Sequence, residues 1–305
     1  MASITEAANP PARPLSFVAI VIMLMLCLSW GINNVLVKLA LPEIPPLMQA
    51  TARSVGGFFV ILIAAYFRGI PLFQRDGTLR AGLLMGTVFA LEFVLIFFGL
   101  LYTTASRAVI FLYTAPFFVA FGAVNLLGEQ LRQSQWVGLA LAFAGIVIAI
   151  GVPQADVNST VLFGDMLLIL GALGWGGTTL VFKMSNLARA PAEKTLIYQT
   201  GISAPLLALG SFMLGETLTK VPGPVALASL AYQALWVVGI TFLLWYVLMK
   251  TYSASKLTAF TFVTPLFGVA AGHIVLNEPI SAAFAVAVVF VIAGLFLVNR
   301  PVRDV

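Results

Sequence analysis

Glu92 lies between Leu91 and Phe93 in a long apolar run, with no basic residue close by in sequence. An ionised, unpaired carboxylate in such surroundings is prohibitively costly, so the group faces a polar cavity, finds a partner or stays protonated. Two functional roles follow: recognition of a substrate amino group, or proton exchange that couples transport to a gradient. The structural alternative is a salt bridge or hydrogen bond to another helix. Arg53, inside a second apolar run, needs an anion in turn. Glu92 is one candidate mate, and a closed structural pair and a functional pair fit the sequence equally.

Two further sets of polar residues occur in apolar runs. Trp30, Asn33, Asn34, Val37 and Lys38 fall on one helical face by i+3 and i+4 spacing, as do Trp175, Thr178, Thr179, Phe182 and Lys183. A buried amide or hydroxyl needs a partner. A substrate carboxylate, ammonium or indole N–H would serve, and so would a neighbouring helix. Lys38 and Lys183 close their helices, where a cation complements the C-terminal dipole and reaches the headgroups. Aromatic residues make up 12% of the chain. Packing or interfacial anchoring accounts for most of them, but Trp30, Trp175, Tyr113, Trp245 and Tyr246 are candidates for a box that stacks on a planar substrate.

The elements that must position these residues follow from composition. Of 305 residues, 61% are hydrophobic and 9% charged, against roughly 25% charged in a soluble domain. Segments long enough to cross about 30 Å of hydrocarbon run approximately over 15–40, 47–67, 79–102, 106–127, 134–151, 163–187, 194–214, 226–250, 256–276 and 281–298. The first is longer than a signal-peptide core and is expected to be retained. With the N-terminus inside, twelve lysines and arginines, Arg68, Arg132, Lys183 and Lys250 among them, lie near the cytoplasmic side and three near the other. This bias places both termini in the cytoplasm. Pro116 and Pro265 each remove a backbone donor inside a span. Thr114 and Thr264 are placed to re-satisfy a released carbonyl, and the resulting kinks are either gates or static features of packing.

The chain also repeats itself. Trp30-Gly31 and Lys38 recur as Trp175-Gly176 and Lys183, an offset of 145 positions. Ser106-Arg107, Phe111, Pro116, Glu129 and Gly145 match Ser255-Lys256, Phe260, Pro265, Glu278 and Gly294 at an offset of 149. Two halves, 1–155 and 156–305, each hold five spans, an odd number, so consecutive copies enter the membrane in opposite directions. Exchangeable halves around a central cavity suit alternating access.

On the Trp-Gly…Lys pairs, the Pro116 and Pro265 segments, Gly-Glu-Gln at 128–130 and Asn-Glu-Pro at 277–279, the chain resembles the drug/metabolite transporter superfamily and its EamA-type branch. In overall pattern it is most similar to the YddG-type aromatic amino acid exporters. The expected fold is an all-α polytopic membrane protein, with ten transmembrane helices as two inverted five-helix repeats around a central cavity. The resemblance implies export of small organic solutes across the bacterial inner membrane, with aromatic amino acids favoured. Expected substrate-binding residues are Trp30, Asn33, Asn34, Glu92, Tyr113, Trp175, Thr178, Thr179, Trp245 and Tyr246. Glu92 is also the coupling candidate, and Pro116 and Pro265 are the gating candidates. No cofactor and no metal are expected. The expected partners are a small-molecule substrate and membrane lipid, without nucleic acid, and a monomer is the working expectation.

Other functions compete. Glu92 among aromatic faces would also suit lipophilic cations, by charge and cation–π attraction. The distinguishing feature is whether the cavity also offers a carboxylate partner, such as Asn33, Asn34, Thr178 or a basic side chain. One cysteine and one histidine leave little for an intramembrane enzyme. A permanently open channel has no need of exchangeable halves. No P-loop is present, so energy would come from substrate or ion gradients.

Overall fold

A computed structural model describes residues 15–72, 74–151, 158–277 and 279–300. Glu278, matched above to Glu129, lies outside the described residues, as do Arg13 and Arg303, two of the twelve basic residues counted on the cytoplasmic side. Among the described residues the secondary structure is entirely helical and forms ten apolar crossings, nine of full spanning length and one shorter. Uninterrupted apolar runs form single helices: α1 (Phe17–Ala40), α2 (Pro46–Phe67) and α3 (Leu79–Leu100). At 1.5 Å per residue the 22 residues of α3 span about 33 Å, enough for the hydrocarbon layer. The fourth crossing is divided into α4 (Ala105–Leu112) and α5 (Ala115–Leu127), and α6 (Gln133–Ile150) is the fifth. α7 (Ser159–Met184) and α8 (Ala192–Met213) are again continuous.

The eighth crossing begins as α9 (Pro224–Ala231), widens into a π-helical stretch over Tyr232–Thr241 and ends as α10 (Phe242–Thr251). The ninth joins α11 (Ala254–Phe260) through a 3-10 turn, Thr261–Val263, to α12 (Thr264–Leu276). The tenth is α13 (Ala283–Asn299), 17 residues long, shorter than the others and packed along the similarly short α6.

Both predicted proline sites fall at breaks, where proline opens a new helix rather than kinking a continuous one. Thr114 Oγ1 donates to the Phe111 carbonyl at 2.6 Å, as expected. Thr264 does not take the same role: its hydroxyl has no hydrogen-bond partner. In the ninth crossing Thr261 Oγ1 bonds the Thr258 carbonyl at 2.6 Å, and the Cys27 thiol donates to the Phe260 carbonyl at 3.3 Å.

α3 lies along α7 and α8, α2 along α8 and the π-helical stretch, α1 along α12 and α9, and α5 along α7. Glycines permit the closest approaches. A Cβ added at Gly294 of α13 would stand 2.5 Å from the Gly138 carbonyl oxygen of α6, so only hydrogen fits there.

Charges at the helix ends hold neighbours together. Arg107 of α4 pairs with Asp165 of α7, which also accepts from Thr103 Oγ1 at 2.9 Å. Glu216 accepts from the Leu47 and Met48 amides, capping α2. Glu129 accepts from Ser253 Oγ at 2.6 Å, from the Ala254 amide at 2.8 Å and from the Ser255 hydroxyl, capping α11. Lys183 differs from expectation. Its ammonium donates to the Tyr252 carbonyl at 2.5 Å, tying the sixth crossing to the start of the ninth instead of reaching toward headgroups.

Candidate substrate cavity

The interrupted crossings and the helices around them enclose a cavity of about 400 Å³, within the roughly 300–1,000 Å³ of small-molecule sites. All ten expected binding residues line it: Trp30, Asn33 and Asn34 from α1, Glu92 from α3, Tyr113 at the α4–α5 break, Trp175, Thr178 and Thr179 from α7, and Trp245 and Tyr246 from α10. Pro116 and Pro265 do not line it, but each follows a cavity-lining residue at a break, Tyr113 three positions before Pro116 and Thr264 immediately before Pro265.

Local packing explains these positions. Gly174 lets α7 close on α3: a Cβ there would lie 3.0 Å from Cβ of Glu92. The carboxylate is thereby held beside α7 and 7% exposed. Trp30 is fixed at both edges, its indole N–H donating to Thr241 Oγ1 at 2.9 Å and its ring meeting Trp245 edge-on at 5.7 Å. Tyr246 donates to Gln199 Oε1 at 2.7 Å. The π-helical stretch is anchored to α1, with Trp236 Nε1 donating to Ser29 Oγ at 3.0 Å and Tyr232 Oη to the Ser29 carbonyl at 3.2 Å.

The walls are aromatic and the polar groups are few. Phe93, Phe89, Phe242, Trp30 and Trp245 form one chain of ring contacts. Tyr113 meets Trp175 edge-on at 5.7 Å on another side. Thr178 and Thr179 both donate to the Trp175 carbonyl, at 2.8 and 3.3 Å. Their protons are therefore engaged within α7, which leaves each hydroxyl oxygen with acceptor capacity. Donation by Thr178 to a substrate carboxylate would require its hydroxyl to leave this helix-internal bond.

The cavity supplies a basic group instead. Arg53 of α2 lines it, 6% exposed, with its guanidinium carbon 4.2 Å from the Phe93 ring centroid. Nε and Nη2 of Arg53, Oε2 of Glu92 and Oδ1 of Asn33 have no hydrogen-bond partner. Arg53 and Glu92 share a cavity without forming the closed ion pair that their chemistry alone would allow.

Sequence reasoning left Arg53 open and passed over Phe89, Phe93, Gln199 and Phe242. A signal for part of this set was available. Phe89, Glu92, Phe93 and Ile96 follow the i, i+3, i+4, i+7 rule of one helical face, and Phe242 precedes Trp245 and Tyr246 with the same spacing.

A ten-crossing helical bundle around a cavity with aromatic walls and a few buried polar groups defines a membrane transporter of small molecules. The profile of the EamA-like transporter family matches residues 17–151 and again 162–300, so the chain belongs to that family. Its members are transporters rather than enzymes. Among curated relatives, the chain is 25% identical to a probable amino-acid metabolite efflux pump of Escherichia coli K12, over 91% of this chain and 93% of that protein. It is 21% identical to the uncharacterized transporter YoaV of Bacillus subtilis, over 88% and 92%. A solved crystal structure superposes with a TM-score of 0.78 at 20% identity, covering 91% of this chain and 94% of the other, which establishes the shared fold.

Proposed function

We propose that the protein exports amino acids, with aromatic ones favoured, from the bacterial cytoplasm across the inner membrane, by alternating access of two inverted five-helix halves. One observation carries this reading: an aromatic-walled cavity of about 400 Å³ that contains both a buried cation and a buried anion, each with atoms left unpaired. Aromatic rings suit a planar side chain. The relatives named as probable amino-acid metabolite efflux pumps, in Escherichia coli and Salmonella typhimurium, support the same substrate class. Resemblance to the YddG-type exporters supports the aromatic preference.

Packing supports exchangeable halves. Gly31 of α1 abuts Phe267 of α12, and Gly176 of α7 abuts Phe118 of α5. Under the repeat offsets of 145 and 149 positions each contact becomes the other. Efflux of lipophilic cations is the weaker reading, because such a substrate would satisfy Glu92 and be repelled by Arg53.

Purified protein in liposomes, supplied with labelled tryptophan, alanine or a lipophilic cation, with and without an imposed pH gradient, tests the proposal. Saturable tryptophan flux exceeding alanine flux is expected. Cation flux without amino acid flux would overturn it. A response to the pH gradient that disappears in Glu92→Gln at saturating substrate would assign coupling to Glu92.

A further inference from the structure

Arg53 and Glu92 pose one problem between them. Each is more than nine-tenths buried, each lines the same cavity, and each has polar atoms without a partner. A buried ion is normally paired, because desolvation costs several kcal/mol even after relaxation. Here the group in contact with the Arg53 guanidinium is the face of Phe93, and a ring quadrupole is a weak substitute for a contacting carboxylate. The two side chains come from different helices and make no direct ion pair, Arg53 on α2 and Glu92 on α3 packed against Gly174 of α7. Both groups line one cavity, so a molecule carrying both counter-ions can meet them together.

We propose that Arg53 and Glu92 are the two specificity-determining ends of a zwitterion clamp: the Arg53 guanidinium takes the substrate's α-carboxylate and the Glu92 carboxylate takes its ammonium. The distribution of the other polar groups fits this polarity. Thr178 and Thr179, on the helix against which Glu92 packs, present acceptor oxygens, the chemistry an ammonium needs. The guanidinium keeps Nε and Nη2 free, two donors of the fork that carboxylates bind in bidentate fashion. A ligand lacking either charge leaves one buried ion uncompensated, so selection works by penalty as well as by attraction. The aromatic walls then select the side chain, and the two ions select the amino acid backbone.

This deepens the proposed function and rests on it, and the test separates the two. Binding of tryptophan, tryptophan methyl ester and N-acetyltryptophan to the purified wild-type protein is measured by calorimetry, with no mutation required. Tryptophan is expected to bind about 100-fold more tightly than either blocked analogue. In parallel, tryptamine and indole-3-propionate are measured on Arg53→Gln and Glu92→Gln, with Arg53→Lys as a charge-preserving control. Arg53→Gln is expected to gain at least about tenfold for tryptamine relative to tryptophan, and Glu92→Gln the same for indole-3-propionate, while Arg53→Lys keeps the wild-type order. If tryptophan binds but either blocked analogue binds within about threefold of it, the clamp is wrong and the amino acid reading survives. If tryptophan does not bind while a cation does, the amino acid reading falls and the clamp with it.

Discussion

Asp76 stands in the loop between α2 and α3, outside the apolar helices, where Lys194 donates to it at 2.8 Å and Thr78 Oγ1 at 2.6 Å. These bonds, the lysine's first, hold its carboxyl down at about 2, below its ordinary 3.8. A depressed folded-state value means the pair stabilises the fold above pH 3.8 and loses that contribution as pH falls toward 2. Asp76→Asn is therefore expected to lower the melting temperature in detergent by a constant amount from pH 8 down to about pH 4. The gap from wild type should close below that, and a gap that widens on acidification would refute the assignment. At the cavity, Gly174→Leu is expected to push Glu92 off α7 and abolish tryptophan binding while the protein still inserts, read by calorimetry and gel filtration. Six of the ten expected side chains that line the cavity, Trp30, Asn33, Asn34, Trp175, Thr178 and Thr179, were chosen from helical spacing, because periodicity fixes which residues share a face. What spacing cannot give is which faces meet. Arg53 was visible as a cation in need of an anion, but its separation from Glu92 and its seat on Phe93 depend on how α2 and α3 pack in space.

The crossings themselves were legible because hydrocarbon permits so little backbone besides helix. Their ends shift by a few residues at most, as for the first, foreseen over 15–40 and observed over Phe17–Ala40. The π-helical stretch was not legible: no local signal in Tyr232–Thr241 marks i+5 bonding, and its hydrogen bonds to Ser29 are tertiary. The prolines announced a disturbance but not its form. Pro116→Ala and Pro265→Ala restore an amide donor at each break, so they are expected to leave the melting temperature unchanged or higher while slowing tryptophan flux several-fold. Unaltered flux would make the breaks static. Gly294→Ala should force α6 and α13 apart at a cost of roughly 1–3 kcal/mol, visible as a lower denaturation midpoint.

Ten crossings would bring the two ends of the chain to the same side of the bilayer, and from the distribution of lysine and arginine we propose that this side is the cytoplasm. A C-terminal alkaline phosphatase fusion is expected to be inactive and a C-terminal green fluorescent protein fusion bright; the reverse would invert the whole molecule. The proposed repeat rests on matched residues at fixed offsets, and a sequence gives no view of Gly31 and Gly176 meeting one another's counterparts. One small feature now takes on a practical meaning. The chain's only cysteine, Cys27, is fully enclosed and bonded to the Phe260 carbonyl at the break in the ninth crossing. It is a built-in chemical clock: alkylating reagents should ignore it for as long as α1 and the ninth crossing stay together, so the pace of its modification would time their separation on an unaltered transporter.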